Sequence, residues 1–293
     1  MDDDPDAYRD PVPPTLKTRS LLLVLALAAV AGATGLSLPH GKQQIAGTAA
    51  RALVPSVAAT IRPPVLKAAP APAGLPVIDY AGVPRGFPAD PQPQSTATIT
   101  DGLHATSPRV LYDGPGGTPL AYLPPFINGA PVTVPIVDRR AGWVAVLLPS
   151  ANRRIGWLTD AGWTGRTLRD QLVVRLRGHE LTWWRDGQRR ASWTVATGSP
   201  QTPTPLGRTF VLGRAATSGS VYAGLDVLAL GSVPEDRGTL PASLRGAHTG
   251  IHSWYSTRAF GASVSNGCIR VPRAGQQTLL DHLTPGTVLT VLG

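Results

Sequence analysis

Two regions of the chain contain short stretches in which apolar residues alternate with polar ones. Residues 104–165 include VTVPIVDRRAGWVAVLLP, with a turn at 140–142. Residues 166–293 include QLVVRLRGHELTWWRDG, with a turn at 186–187. Short alternating runs bounded by Gly, Pro or Asp are typical of half-buried β-strands. The sequence therefore predicts a mainly β protein with two β-rich regions.

One segment near the end of the chain has the pattern of a helix. Pro272 stands near its start, Leu279, Leu280 and Leu283 fall on one face, and Gly286 follows a proline as a stop. Proline in the first turn and Pro-Gly after the last turn are helix boundary signals. The second region is therefore predicted to be a mixed β domain with one short helix, closed by the strand VLTVLG.

The first β-rich region, residues 104–165, has short strands at regular intervals, which predicts a small all-β barrel. Its pattern GWVAVLLP…GWLTDAG resembles bacterial SH3-like domains found beside cell-wall enzymes. Trp143 and Trp157 in this pattern have two interpretations. Either they form a ligand platform, or they pack in the core or rim of the barrel. Of these two interpretations, packing is favoured.

A stretch without any charged residue lies near the start of the chain. Residues 21–38 span 18 positions, about 27 Å as a helix, which is enough for the hydrocarbon core of a bilayer. Lys17 and Arg19 precede it, and no Lys or Arg follows before Lys42. The positive-inside rule therefore puts residues 1–19 in the cytoplasm and the rest of the chain outside.

Residues 20–38 are accordingly expected to be a transmembrane anchor or a signal peptide. Small-residue triplets at 29–31 and 31–33 are candidate signal-peptidase sites, but the long acidic region before them favours the anchor. Residues 39–103 are rich in Pro and Ala and lack amphipathic periodicity, which predicts a linker. About 60 extended residues would hold the following domains well clear of a membrane.

The charge of the chain limits its partners. The formal net charge is +9, and residues 1–19 hold five of the 18 acidic residues but only three of the 27 basic ones. A basic protein favours anionic partners. No RNP-like segment, zinc-finger spacing or Lys/Arg-rich run is present, so we expect no nucleic-acid partner. Anionic lipid and an anionic cell-wall polymer fit the charge.

Cys268 is the only cysteine of the chain. Exported proteins use cysteines mostly in pairs, and an accessible unpaired thiol is open to oxidation. Two interpretations follow. Cys268 is a small buried apolar residue, or it is a nucleophile whose chemistry requires the thiol.

A cysteine nucleophile needs a base, because a thiol with a pKa of about 8.5 is only about 3% ionised at pH 7. Histidine is the base suited to neutral pH. His252 lies 16 residues before Cys268, and a strand-to-strand return can bring the two together. His248 and His252 are also spaced like half a metal site, but no helical pattern or third ligand accompanies them, so no metal is expected.

The residues around Cys268 suit acyl chemistry. Gly267, which follows Asn266, permits a tight turn that leaves backbone N–H groups for an oxyanion. Arg270 adds positive charge, for a thiolate or for a substrate carboxylate. These features do not by themselves exclude the buried-residue interpretation.

The motif GIHSWY…SNGCIRV resembles the signature of L,D-transpeptidases of the YkuD type. The upstream segment TVATGSPQTPTPLGRTFVLGR resembles the TPTPxG element of the same family, and VVRLRGHELTWWRDGQ resembles its first hairpin. The match covers about residues 170–293, with all pieces in order. The resemblance implies that residues 166–293 form a YkuD-type β-sandwich or mixed β domain.

The resemblance also implies catalytic roles. Cys268 matches the nucleophile that takes the acyl group, and His252 matches the base that activates it. Ser253 matches the position whose backbone carbonyl orients that histidine. The amides of Gly267 and Cys268 match the oxyanion site.

The resemblance further implies a set of substrate-binding residues. Residues 214–245 would include a flexible cover over the site, in which Tyr222 is a candidate contact; ordinary loop packing is the alternative. Asn266 stands where many members have a second histidine, and Ser253 stands where many have glycine. The implied substrate-binding residues are Arg270, Asn266, Ser265, Tyr222 and Trp254.

The family implies attack by Cys268 on tetrapeptide stems of peptidoglycan, release of D-Ala, and a 3→3 cross-link to the amine of a second stem. It implies no metal or organic cofactor, acylation by carbapenems, and work in the cell envelope outside the cytoplasm, anchored or secreted. A monomer is expected. Hydrolysis, D-amino-acid exchange and protein anchoring by the same site are alternatives, as is a non-catalytic wall-binding scaffold.

Overall fold

The computed structural model describes residues 64–217 and 220–293. The predicted cytoplasmic tail (residues 1–19), the predicted membrane segment (residues 20–38) and the first part of the predicted linker lie outside the described residues. Within the described ranges, no helix has both the length and the apolar character needed to cross a bilayer.

Residues 101–167 form a seven-stranded antiparallel sheet and a small separate hairpin. The strands are β1 (Asp101–Ala105), β2 (Arg109–Tyr112), β3 (Pro119–Leu123), β4 (Phe126–Ile127), β5 (Ala130–Pro131), β6 (Thr133–Arg140), β7 (Trp143–Leu147), β8 (Ile155–Thr159) and β9 (Trp163–Thr167). The order in the sheet is β3-β2-β8-β7-β6-β1-β9, and β4 pairs with β5 alone.

The core of this sheet includes both tryptophans of the GW pattern. Trp143 is 1% exposed and Trp157 is 5% exposed. The Trp143 indole N–H donates to the Leu66 carbonyl at 2.9 Å, so its polar atom is satisfied inside the protein. Both rings therefore pack in the core and offer no open ligand platform. The SH3-like assignment of residues 104–165 stays a prediction.

Residues 170–292 form an eight-stranded mixed sheet, a two-stranded parallel pair and one helix. The elements are β10 (Asp170–Arg175), β11 (Glu180–Arg185), β12 (Gln188–Thr194), β13 (Thr197–Gly198), β14 (Gly207–Ala215), β15 (Val227–Leu230), β16 (Gly250–Ser253), β17 (Ser263–Ser265), β18 (Ile269–Val271), α1 (Arg273–His282) and β19 (Val288–Leu292). The sheet order is β12-β11-β10-β19-β14-β15-β16-β18, and β13 pairs with β17.

Two parallel pairings, β10 with β19 and β16 with β18, set the topology of this region. Helix α1 directly follows β18 and buries Leu279 and Leu280 in the core beside the sheet, together with Leu283 just beyond its last turn. The prediction of a mainly β protein with one short helix after Cys268 is confirmed. The two sheets, with residues 64–100, belong to one compact unit.

Residues 64–100, which we call the strap, differ from the expected free linker. They contain no regular strand up to β1, but they pack against both sheets and bury Ile78 and Phe87. Their apolar anchors are separated by prolines and glycines, so no periodicity reveals them in the sequence. For this part of the predicted linker, a packed strap replaces the expected stalk.

A buried ion pair fastens the strap to the second sheet. The Arg208 guanidinium on β14 donates to both carboxylate oxygens of Asp90, at 2.8 and 2.5 Å, and the side chains are 5% and 0% exposed. The Gln171 amide also donates to the Thr96 carbonyl at 2.9 Å. Because both charges are out of water, the pair depends on its complete bidentate geometry.

We predict that Asp90→Asn destabilises the protein strongly, because it leaves the Arg208 charge buried without its counter-charge. The expected loss in free energy of unfolding is about 3–5 kcal/mol, measured by urea denaturation followed by tryptophan fluorescence. The control is Asp186→Asn, which breaks the exposed pair with Arg169 and should leave the midpoint nearly unchanged. Equal effects of the two variants would contradict the anchoring role of Asp90.

Candidate active site

Two parallel strands bring the predicted nucleophile and base together. In the pairing of β16 with β18, Ile251 lies opposite Ile269 and His252 lies opposite Arg270. Cys268 immediately precedes β18, so the same register puts it level with Gly250, two residues before His252. Alternate residues of a strand share one face, so Cys268, Arg270 and His252 come to the same side of the sheet.

A tight turn presents Cys268. Ser265 is buried, and its hydroxyl donates to the Cys268 carbonyl at 2.6 Å and accepts from the Gly267 amide at 3.2 Å. Gly267 has φ of +100°, a conformation that residues with a side chain rarely adopt. Ser265 therefore shapes the turn. The Gly267 amide is engaged within it, which makes the Cys268 amide the more available of the two predicted oxyanion donors.

The loop that contains the TPTP segment is hydrogen-bonded to this turn. The Ser199 amide and the Thr202 hydroxyl both donate to the Ser265 carbonyl, each at 2.9 Å. A Cβ atom on Gly198 would lie 2.3 Å from the Thr202 carbonyl oxygen, so only glycine fits there. The sequence identified this segment by resemblance alone, and its contact with the cysteine turn was not predicted.

His252 is held in the tautomer that a base requires. Its Nδ1 lies 2.7 Å from the Ser253 carbonyl oxygen. A carbonyl only accepts, so Nδ1 carries the proton and Nε2 is left to accept one. Burial lowers the pKa of His252 to about 4, with the Arg270 charge adding to the effect and the Ser253 hydrogen bond opposing it.

The thiol of Cys268 is neutral at rest. Burial raises the pKa of Cys268, while the Gly250 backbone hydrogen bond and the Arg270 charge act to lower it. The residue as a whole is nevertheless partly exposed. With a raised thiol pKa and a lowered imidazole pKa, both groups are neutral at pH 7. This arrangement suits proton transfer during attack rather than a preformed ion pair.

Arg270 supplies positive charge that no carboxylate of the described residues neutralises. Its guanidinium carbon lies 3.5 Å from the ring centroid of Trp254, a cation–π contact, and its Nε is buried without a hydrogen-bond partner. Within residues 64–217 and 220–293, no Asp or Glu forms an ion pair with it. Burial lowers the pKa of Arg270, against the influence of Cys268, Tyr255 and Tyr222.

Aromatic rings surround the base. The Tyr222 ring meets the His252 ring edge-on at 4.9 Å between centroids, and the Tyr222 carbonyl accepts a hydrogen bond from the Ser253 hydroxyl. The Trp254 ring lies 5.8 Å from His252. Tyr255, 67% exposed, lies 5.2 Å from Trp254 and was not singled out from the sequence, although it ends the motif GIHSWY.

Asn266 and His248 have different surroundings. Asn266, a predicted substrate-binding residue, is exposed and its side chain makes no hydrogen bond within the described part of the chain, so its role stays a prediction. His248 directs its two ring nitrogens at the carbonyls of Leu230 and Tyr80, at 2.6 and 2.8 Å, and stacks on the Tyr80 ring. In residues 64–217 and 220–293, no three His, Cys, Asp or Glu side chains are grouped to hold a metal ion.

One supporting residue was missed altogether. Gln276 on α1 is fully buried, and its amide nitrogen donates to the carbonyls of Asp226 and Ile251 at 2.8 and 3.1 Å. It therefore ties the helix to the strand that carries His252. The only signal in the sequence is one glutamine on the apolar side of a short helix, which is too weak a pattern to predict a contact with a strand.

Comparison with known proteins agrees with this geometry. Residues 169–291 match the YkuD family model, the L,D-transpeptidase catalytic domain, and they include every site residue named above. No curated protein sequence matches the chain. Residues 169–291 are thus similar in sequence to the L,D-transpeptidase catalytic domain, a domain family associated with the cell envelope.

The chain also resembles solved structures. An L,D-transpeptidase from Mycobacterium smegmatis is 16% identical over 56% of this chain and 92% of that chain, with a TM-score of 0.36. L,D-transpeptidase 3 from Mycobacterium tuberculosis is 14% identical over 56% and 92%, with a TM-score of 0.37. The C442S mutant of the Enterococcus faecium L,D-transpeptidase is 18% identical over 42% of this chain and 50% of that chain, with a TM-score of 0.32. This chain thus spans half the length of the last protein.

We predict that the burial of neutral His252 makes the protein less stable in mild acid. The unfolded state takes up a proton near pH 6.5 and the folded state only near pH 4, so stability is complete above pH 6.5 and falls between these values. From pH 7 to pH 5 the wild type should lose about 2 kcal/mol more than His252→Gln, measured by urea denaturation. An equal loss in both proteins would show that His252 titrates normally.

Proposed function

We propose that this protein is a cysteine L,D-transpeptidase that acts on the tetrapeptide stems of peptidoglycan and forms 3→3 cross-links through a Cys268 thioester. One observation carries the proposal. His252, with Nδ1 fixed by the Ser253 carbonyl, lies on a strand parallel and in register with the strand that Cys268 precedes. This pair lies inside the region that matches the L,D-transpeptidase catalytic domain.

Acylation begins with the neutral pair. The Cys268 sulfur attacks the carbonyl carbon of the third stem residue while its proton passes to Nε2 of His252. The resulting imidazolium donates this proton to the nitrogen of terminal D-Ala as the peptide bond breaks, and D-Ala leaves as the free amino acid. The acyl group remains on Cys268 as a thioester.

The oxyanion that forms during attack needs donors and positive charge. The Cys268 amide is the proposed donor. The Gly267 amide becomes a second donor if it exchanges its 3.2 Å hydrogen bond to Ser265 for one to the oxyanion. Arg270 contributes a charge that no described carboxylate cancels, directed either at the oxyanion or at a substrate carboxylate. Its stacking on Trp254 fixes the guanidinium in place.

The second half-reaction transfers the acyl group. The side-chain amine of another stem attacks the thioester carbonyl, and His252 takes the proton that the amine loses. The carbon–sulfur bond breaks, and the sulfur recovers the proton from His252. Water in place of the amine gives a shortened tripeptide, and a free D-amino acid or a protein amine gives exchange or anchoring.

The setting of this reaction is also proposed. Residues 20–38 hold the protein in the cytoplasmic membrane or direct its export, and the catalytic domain works outside the cytoplasm. The SH3-like assignment of residues 104–165 belongs to the same proposal. The protein acts as a monomer without a cofactor. A scaffold that binds the wall without catalysis is the competing function. It does not explain why Cys268 and His252 are paired.

We predict that the full-length protein in mild detergent converts purified disaccharide-tetrapeptide into a dimer lighter than two substrates by one alanine, as measured by mass spectrometry. Cys268→Ala should abolish the dimer. His252→Ala should reduce its rate at least about 100-fold, because general-base catalysis is lost.

Each other product pattern has its own meaning. Tripeptide without dimer would show hydrolysis by the same site. If the substrate stays unchanged while wild type and Cys268→Ala bind sacculi equally well, the proposed enzymatic activity would be wrong. That result would support the scaffold function. A dimer formed by Cys268→Ala would remove the thioester from the mechanism.

We predict that a carbapenem acylates Cys268 by opening its β-lactam ring, which adds the whole mass of the drug to the intact protein. The reason is that the same thiol and base attack a strained amide. Mass spectrometry should find the adduct on the wild type and not on Cys268→Ala. Adduct on another residue, or none under conditions in which tetrapeptide reacts, would contradict this use of the site.

A further inference from the structure

A cavity away from Cys268 lies where the strap passes the turn between β7 and β8. Its volume is about 590 Å³, within the usual range for small-ligand sites. None of the described residues that line it is acidic, and two of them are arginines. The lining residues include Val83, Arg85, Phe87, Ala151, Asn152 and Arg154.

The walls of this cavity are fixed by buried contacts. Phe87 is 3% exposed and belongs to the core of the first sheet. The Ile155 amide donates to the Pro88 carbonyl, and the Arg154 guanidinium donates to the Phe87 carbonyl, each at 3.1 Å. The turn that bears Arg85 is therefore held at its base, so a bound group would not have to order it.

The opposite wall is tied to the second sheet. The Asn152 side chain donates to the Val233 carbonyl at 2.7 Å and accepts from the Val233 amide at 3.0 Å. The Ala151 amide donates to the Gly231 carbonyl at 3.2 Å. Since Gly231 and Val233 follow β15, the cavity lies at the junction of the strap and both sheets.

The arginines of this junction divide into two kinds. Arg208 is paired with Asp90, and Arg153 is paired with Glu235. Arg85 and Arg154, which line the cavity, form no ion pair among the described residues. One Arg154 nitrogen is used by the Phe87 carbonyl, which leaves its other donors and the whole Arg85 guanidinium for a ligand.

We propose that this cavity is a second binding site that takes an oxyanion group, a carboxylate or a phosphate, of an anionic cell-wall polymer. Guanidinium groups bind both oxyanions through paired charge-assisted hydrogen bonds. The site would hold the polymer while Cys268 acts on a stem elsewhere. The inference rests on the proposed location at the wall but not on the reaction at Cys268.

The test measures binding apart from catalysis. Full-length protein carrying Cys268→Ala is sedimented with intact sacculi, and its binding constant is compared with and without Arg85→Gln/Arg154→Gln. We expect about tenfold weaker binding, because two charge-assisted contacts are lost. Arg85→Gln alone should weaken binding about threefold. Because it disturbs no described hydrogen bond, it tests the site even if the double variant misfolds.

The matched control is Arg166→Gln/Arg177→Gln, which removes the same charge from two exposed arginines that form no ion pair among the described residues. It should change binding less than about twofold, since screened surface charge acts weakly. Equal weakening by both pairs would show a general charge effect and overturn the site, as would no weakening by either.

Two treated sacculi identify the source of the oxyanion. If removal of phosphate polymers with hydrofluoric acid cancels the difference between Arg85→Gln/Arg154→Gln and its parent, the ligand is a phosphate. If conversion of stem carboxyls to amides cancels it, the ligand is a carboxylate. Persistence of the difference after both treatments would overturn the oxyanion assignment. A protein that fails to cross-link but shows the binding difference would disprove the proposed reaction and leave this site standing.

Discussion

The parallel register of β16 and β18 is the constraint on which the site depends. It places His252 opposite Arg270 and sets Cys268 beside Gly250. Neighbouring strands lie about 4.8 Å apart, so the pairing brings three polar groups within reach of one another without a long flexible connection. The Ser265 turn, the TPTP loop and Gln276 all hold one or the other of these two strands.

Burial gives the site its chemical character. Water exclusion disfavours charge on both partners, so it raises the pKa of Cys268 and lowers that of His252. The thiol is thereby neutral at rest, and in the proposed reaction it becomes nucleophilic only as its proton passes to His252 during attack. Arg270 remains charged beside this neutral pair, with Trp254 rather than a carboxylate as its neighbour. The positive charge of Arg270 can therefore stabilise negative charge that develops during a reaction.

The sequence was informative where local patterns decide structure. Strand alternation and the helix after Cys268 predicted a mainly β protein, and a specific motif pointed to His252 and Cys268. Contacts between distant segments were not predictable in this way. Gln276 and the strap are held by single hydrogen bonds and isolated apolar side chains. Such contacts produce no periodic pattern in the sequence. Asn266 was predicted from its position in the motif, and because its exposed side chain has no partner among the described residues, that role stays a prediction.

The strap also has a consequence for the order of folding. Asp90 contacts Arg208, 118 residues later, and Ser95 contacts Thr290, 195 residues later. Contacts of such sequence separation form late, because closing long loops costs entropy before the contact repays it. During synthesis the strap is made before both sheets, but Asp90 and Ser95 find these partners only after β14 and β19 have been made. Until Arg208 is made, the Asp90 carboxylate has no counter-charge and this ion pair cannot fasten the strap to the second sheet, so the nascent chain passes through a period of greater vulnerability to proteolysis.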